Sequence, residues 1–398
     1  MGSDTMRDAG GDTGLLNLYW LTTALFLSYL LVAMSMPTTT LFVVTRLHLG
    51  SGLAGLAVGI AFASTIVTRG WAGRIADEHG GKYCACRGLV LYVLAGFVCL
   101  GATLPALPVA LSYGILIAGR LLLGIGESLT IVGVIQWGLG LLGPARSGRV
   151  MALVGMGLYG SFAAGSPLGL TIYDRWGFVG LLAVGLLMPA LGLAMARAVP
   201  RVEPHRGHRK PILSVLREIW AQGTVICLQG VGFAVIGAFM PLLFLHHHWP
   251  HAGLGLTAFG GAFVLVRVFC GKLPDRLGGV PVALVSMSVE ACGQYTLWAA
   301  TDPWVALAGA FLSGLGCSMM FPAMGVEVVR RVAPQLRGTA MGAFAACQDL
   351  AYGLSGPLLG VMAEREGFSS VFLAGGIAAT LGLGLVVVMA RVPHEDRA

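Results

Sequence analysis

The sequence predicts an all-α membrane protein of about twelve transmembrane helices in two pseudo-symmetric six-helix bundles. Three observations predict it: an apolar composition, a one-sided distribution of Lys and Arg, and a polar skeleton that occurs twice. The 398 residues are 56% hydrophobic and 11% charged, with a mean hydropathy of +0.82. Soluble domains carry roughly 25% charged residues. Helices and closed barrels alone satisfy every backbone group in hydrocarbon, and a helix needs about 20 apolar residues to cross it. Barrel strands would be shorter and would alternate.

Apolar runs between Gly, Pro and charged breakers fall at 15–44, 53–72, 88–105, 109–138, 150–171, 178–196, 222–245, 252–271, 280–300, 304–326, 338–361 and 369–390. Ahead of them, 1–14 ("MGSDTMRDAGGDTG") is acidic and glycine-rich, with no basic n-region. It reads as a disordered cytoplasmic tail, not a cleavable signal. Six spans make an N-terminal bundle over 15–196 and six a C-terminal bundle over 222–390. The stretch between, 197–221, is the longest polar segment and reads as a cytoplasmic linker, with an amphipathic part at 212–220 lying on the inner surface. A short tail, 391–398, follows the last span.

Of the 25 Lys and Arg, nineteen fall in loops or tails on one side, among them Arg74, Lys82, Arg87, Arg330 and Arg331. The other side has Arg46, Arg175 and Arg365, while Arg69, Arg120 and Arg267 lie within spans. This asymmetry puts both termini in the cytoplasm, multi-pass in a bacterial inner membrane. The net charge of +7 is therefore a topology signal, and no nucleic-acid partner is expected. Eight scattered cysteines, with one Cys84-x-Cys86, make no disulfide framework.

The skeleton Arg69-x3-Gly73-x3-Asp77-x2-Gly80-Gly81 returns as Arg267-x3-Gly271-x3-Asp275-x2-Gly278-Gly279, an offset of 198. Further on the offset is 190: Gly124-x-Gly126 with Gly314-x-Gly316, Pro144 with Pro334, Gly148 with Gly338, Met151 with Met341, Pro167 with Pro357, Gly177-Phe178 with Gly367-Phe368. Duplicated six-span units are the build of many secondary transporters, with the substrate near the midplane between repeats.

The Gly73-x3-Asp77-x2-Gly80-x-Lys82 pattern and "RLLLGIGESL" (Arg120–Leu129) resemble the major facilitator superfamily, with Gly81 where an Arg is usual. More narrowly, "TRGWAGRIAD", "GESLTIVGVIQWGLGLLGPARSGRVM" and "GSPLG" are similar to its bacterial YhhS/YfcJ-type branch. The resemblance implies a conformational latch of Gly73, Asp77, Gly80, Gly271, Asp275 and Gly278, with Asp77 meeting the start of the eleventh span and Asp275 that of the fifth. The bland alternative is a pair of hairpin turns with solvated charges. "SFAAGSPLG" (Ser161–Gly169) and "LSGPLLG" (Leu354–Gly360) resemble the glycine-proline motif of exporters, although Ser161 and Ser166 depart from it.

Several polar residues fall inside spans. Arg69 and Arg267 lie eight residues before their aspartates, about 12 Å deep at 1.5 Å per residue. They read as structural pairs, as gates, or as receptors for an anionic substrate. Arg120 and Glu127 share a face about 10.5 Å apart, too far to pair, so each needs its own partner; by the family layout Arg120 bonds first-span backbone. Glu127 leads as proton carrier, against a structural role as a hydrogen-bonded acid. Asp349, beside Gln348, is the second such acid, whereas Glu290 reads as structurally paired. Arg120, Tyr29, Gln229 and Gln348 join Arg69 and Arg267 as substrate or gate candidates, and Tyr19, Ser28, Ser318 and Met319 are further cavity-lining candidates on spans the family places centrally. The cluster "HHHWPH", with His246–His248 and His251, reads as a solvated loop and not a metal site.

The expected activity is proton-coupled export (antiport) of a small organic molecule by alternating access. The alternative is cation-coupled import of a sugar or organic acid. Partners are the substrate, a proton or other cation, and the lipid bilayer. The chain is expected to be a monomer without a cofactor, and not an enzyme: no G-x4-G-K-S/T phosphate loop is present.

Overall fold

The computed structural model describes residues 2–143, 146–203, 212–250, 252–333 and 336–391. His251, residues 204–211 of the linker, Pro144, Pro334 and the tail from 392 onward lie outside them. Among the described residues the chain is helical throughout, without strands: α1 (Gly2–Leu41), closed by a π turn at Phe42–Arg46, α2 (Ser51–His79), α3 (Gly81–Gly101), α4 (Val109–Leu142), α5 (Ser147–Ala198), α6 (Ile212–Glu218), α7 (Trp220–His246), α8 (Ala252–Cys270), α9 (Leu273–Leu277), α10 (Gly279–Trp298), α11 (Pro303–Arg331), α12 (Arg337–Glu366) and α13 (Phe368–Arg391).

Nine stretches among the described residues are long and apolar enough to cross a bilayer. One of them, within α5, holds two spans joined at Gly177, whose φ of 65° interrupts the helix. Helices α10 and α12 complete the twelve. Both fall short on apolarity because they carry Glu290 and Gln294, and Gln348 and Asp349.

Helix α1 starts at Gly2, so most of the stretch read as a disordered tail is helical.

The chain divides into two compact units, Met1–Ser35 with Ala63–Gly207, and Met36–Phe62 with His208–Ala398. The boundary departs from the one read at the repeat, because residues 36–62 pack with the second unit. Small residues explain this. A Cβ on Gly55 would overlap the carbonyl oxygen of Gly356, and one on Gly360 would overlap that of Ser51, so α2 and α12 meet backbone to backbone. Gly52 N donates to Glu364 Oε1 at 2.7 Å, and Thr40 Oγ1 to Ala238 O at 2.9 Å. Helix α6, read as lying on the surface, buries Val215 in the core of this unit, as does Ile219 just after the helix.

The repeated glycine pair has a physical cause in each unit. Gly80 and Gly278 hold φ of 91° and 89°, a region that costs an L side chain strain. The following glycines admit a neighbouring helix. A Cβ on Gly81 would lie 2.5 Å from Trp137 N of α4, and one on Gly279 would overlap Ala323 O of α11. The turn and the tight pairs α3–α4 and α10–α11 are thus encoded by the same two letters.

Candidate functional site

In the first unit α1 and α4 bring three of the anticipated residues together. Glu127 is wholly buried, and the hydroxyl of Tyr29, itself buried, donates to its Oε1. Phe162 of α5 stands edge-on to the Tyr29 ring at 5.5 Å. One side of this arrangement is therefore apolar and fixes the phenol's direction. Two helical turns earlier on α4, the buried Arg120 donates from Nη1 to Ser35 Oγ at 2.7 Å. Arg120 thus bonds the first span, through the Ser35 side chain. Helix α2 is held on α4 nearby: Thr65 Oγ1 donates to Gly124 O at 3.0 Å and Ser64 Oγ to Leu121 O at 2.9 Å.

Arg69 lies half-buried on α2. Eight residues on, Asp77 accepts from Gln136 Nε2 of α4 at 3.0 Å, a partner that spacing could not reveal. Lys82, the last residue of the motif, donates to Arg197 O at 2.8 Å and Val199 O at 2.7 Å, and Trp137 Nε1 donates to Pro200 O at 2.9 Å. A cation here closes the carbonyl end of α5 and fastens the start of the linker.

In the second unit a ladder of buried amides joins α7, α10 and α12. Gln348 Nε2 donates to Gln229 Oε1 at 3.3 Å, and Gln229 Nε2 makes a long bond of 3.5 Å to Glu290 Oε1. Glu290 and Gln294 are both fully buried, and Gln294 Nε2 donates to Gly232 O at 3.1 Å. Glycine shapes this socket: a Cβ on Gly232 would lie 2.6 Å from Glu290 Oε1 and 2.9 Å from Gln294 Nε2. No salt bridge reaches Glu290 among the described residues. Sequence reasoning assigned Gln229 and Gln348 to the cavity singly and missed their link through to Glu290. The signal was there in the two α10 residues Glu290 and Gln294, four apart on an otherwise apolar helix.

Asp349 is buried on α12. Half-buried Arg267 lies with its guanidinium 5.5 Å from the Phe263 ring centre. Asp275 falls in the first turn of α9, between Gly271 and Gly278. Of the other lining candidates, Ser28 bonds Ala24 O of its own helix, Ser318 bonds Phe263 O, Met319 is buried in the second core, and Tyr19 is 44% exposed. His247 stacks on Trp249 at 4.5 Å, and burial, then the neighbouring His246, lower its pKa below the ordinary histidine value. No cluster of three or more His, Cys, Asp or Glu able to hold a metal occurs among the described residues.

Twelve apolar helices from a duplicated unit, with carboxylates, arginines and amides withdrawn from solvent inside them, define a membrane transporter. A sequence model of the Major Facilitator Superfamily matches residues 21–251 and again 223–398. The chain is 42% identical to an uncharacterized MFS-type transporter of Salmonella typhimurium over 94% of its own length and 97% of the relative's. It is 38% identical to one of Burkholderia mallei over 92% and 89%. The fold is similar to that of the nucleoside transporter NupG (TM-score 0.75, 14% identity, 94% of this chain and 99% of that one). It is similar also to that of a D-xylose-proton symporter (TM-score 0.78, 18% identity, 96% and 98%). The chain belongs to the major facilitator superfamily, and it is a transporter of that family.

Proposed function

We propose that the chain moves a small organic molecule by alternating access, coupled to protons, with export in exchange for protons as the first reading. The observation that carries it is the Tyr29–Glu127 bond: a carboxyl withdrawn from solvent, oriented by a phenol, is equipped to take up and release a proton. Asp349 is the second candidate acid, and Arg120, Arg69, Arg267, Tyr29, Gln229 and Gln348 the candidate substrate or gate residues. The bundles 15–196 and 222–390 are the moving parts, a monomer is the working unit, and the glycine-aspartate turns at Asp77 and Asp275 act as latches. Clustering of Lys and Arg supports cytoplasmic termini in a bacterial inner membrane. The motifs around Arg69 and Glu127 support the YhhS/YfcJ-type branch.

Proton-driven import is the second reading, favoured by the similarity of fold to a D-xylose-proton symporter. Everted vesicles carrying the protein, given a panel of metabolites and an acidic lumen, separate the two. Export by antiport accumulates substrate in that lumen. Symport accumulates it instead in right-side-out vesicles with an acidic exterior. Accumulation in neither, with exchange intact, would overturn proton coupling. If Arg69 and Arg267 are receptors for an anion, alanine at either abolishes its transport; loss at one alone assigns a gate or structural role.

A further inference from the structure

At the arginine-rich end of the second unit a cavity of about 170 Å³ opens between the start of α7, the end of α11 and the end of α13. Its walls divide by chemistry. Arg330 and Arg331 end α11, where cations suit the helix terminus. Arg330 Nη1 lies 3.5 Å from Glu327 Oε1, an oxygen that also accepts from Gly279 N at 2.9 Å. Glu327 is thus committed to holding α10 on α11, while Arg331 is exposed and makes no ion pair among the described residues. Deeper in the wall Gln222 is 97% withdrawn from solvent (3% exposed), yet its Oε1 has no hydrogen-bond partner among the described residues. A buried carbonyl without a donor is costly, so it marks a place for one.

The remaining wall is apolar. Leu385 and Val388 line the cavity from α13, and with Leu381 they form a strip at i, i+4 and i+7; Leu381 and Val388 are 60% and 57% exposed. Trp220, 58% exposed, stands at the rim, as aromatics do where membrane meets water. The volume is below the roughly 300–1,000 Å³ of whole-metabolite sites. A small cationic socket with an acceptor at its base and an apolar strip leading away fits an anionic amphiphile.

We propose that this cavity binds the headgroup of phosphatidylglycerol. Its phosphodiester sits on Arg331 beside Arg330, a glycerol hydroxyl donates to Gln222 Oε1, and an acyl chain follows Leu381, Leu385 and Val388. Basic pockets at the cytoplasmic end of helix bundles hold anionic lipid in this manner. That this end faces the inner leaflet rests on the proposed topology. Binding in detergent does not depend on orientation, so the two can fail separately.

The test is native mass spectrometry of the full-length chain in detergent with dioleoyl phosphatidylglycerol, dioleoyl phosphatidylcholine, or inorganic phosphate. The wild type retains one phosphatidylglycerol in preference to phosphatidylcholine by fivefold or more. Arg331→Gln lowers retention about fivefold, and Arg330→Gln with Arg331→Gln about thirtyfold. Arg87→Gln leaves it unchanged. Arg331→Gln preserves the Glu327–Arg330 pair, so it carries the test if the double variant fails to fold. Equal retention of the two lipids, or full retention in Arg331→Gln, overturns the proposal. So does displacement of the lipid by inorganic phosphate at comparable concentration, which would assign a free-anion site instead.

Discussion

Glu127→Gln separates the proton from the hydrogen bond. Glutamine matches glutamate in size and keeps an oxygen to accept from Tyr29, so a wholly buried site loses neither packing nor that contact. The expected cost in stability is under about 1 kcal/mol. Tyr29→Phe does the reverse, keeping the carboxyl and removing the phenolic donor, at about 1.5–3 kcal/mol if the acceptor is charged and about 0.5–1.5 if it is neutral. Transport should follow the carboxyl and not stability. A gradient of one pH unit is worth about 1.4 kcal/mol per proton, a tenfold accumulation at equilibrium for one-to-one coupling. In proteoliposomes with an imposed gradient of that size, the wild type approaches tenfold accumulation and Tyr29→Phe retains it at a lower rate. Glu127→Gln equilibrates at onefold while still exchanging labelled substrate down its gradient. Tenfold accumulation by Glu127→Gln would refute the assignment, and loss of exchange together with accumulation would make the residue structural.

Three further outcomes are expected. Gly55→Ala forces α2 off the Gly356 backbone and costs about 1–3 kcal/mol in thermal or denaturant unfolding, whereas Gly384→Ala, with nothing within 4 Å, is neutral or gains up to about 1 kcal/mol from helix propensity. Lys82→Met removes both donors from the end of α5, which raises amide hydrogen exchange around Ala198–Arg201 and leaves the amides of α11 unaffected. His247 titrates below a free histidine in NMR, and His246→Ala moves it part of the way back. Because the fold favours its neutral form, its small contribution is present above the free histidine value and fades as the pH falls through the lowered one.

Backbone requirements were legible in the sequence and side-chain partnerships were not. The repeat picks out Gly80-Gly81 and Gly278-Gly279 as shared positions, and the structure uses each pair for a turn and a close approach. The spans announce themselves through composition, except that α10 and α12 dilute theirs with the polar residues that make them interesting. Partners across helices leave no spacing in the chain. Ser35 and Arg120 are 85 residues apart, Gln229 and Glu290 are 61 apart, and Asp77 is 59 from Gln136. The sequence singles out Arg120, Asp77, Gln229 and Glu290, but nothing in it points to Ser35 or Gln136 as partners. The packing of 36–62 with the second unit was hidden for the same reason, since Gly55 and Gly356 are a contact only once α2 and α12 lie together.

The two halves differ where physics permits it. Gly126 and Gly316, related by the 190-residue offset, each lie against the backbone of the preceding helix: a Cβ on the first would sit 3.0 Å from Gly88 O, and one on the second would overlap Glu290 N. No rotamer relieves a backbone clash, so such positions hold the same letter in both copies. A hydrogen-bonded pair is less constrained, because another donor and acceptor can replace it if both change. The first unit accordingly buries a carboxyl of α4 against a phenol of α1, whereas the position matching Glu127 in the second is Cys317. There one buried carboxyl, Glu290, lies on the adjacent helix α10 and is held by amides, and another, Asp349, lies on α12. The proposed proton carrier Glu127 therefore has no acidic counterpart at the equivalent place in the other copy, so the proposed coupling is asymmetric.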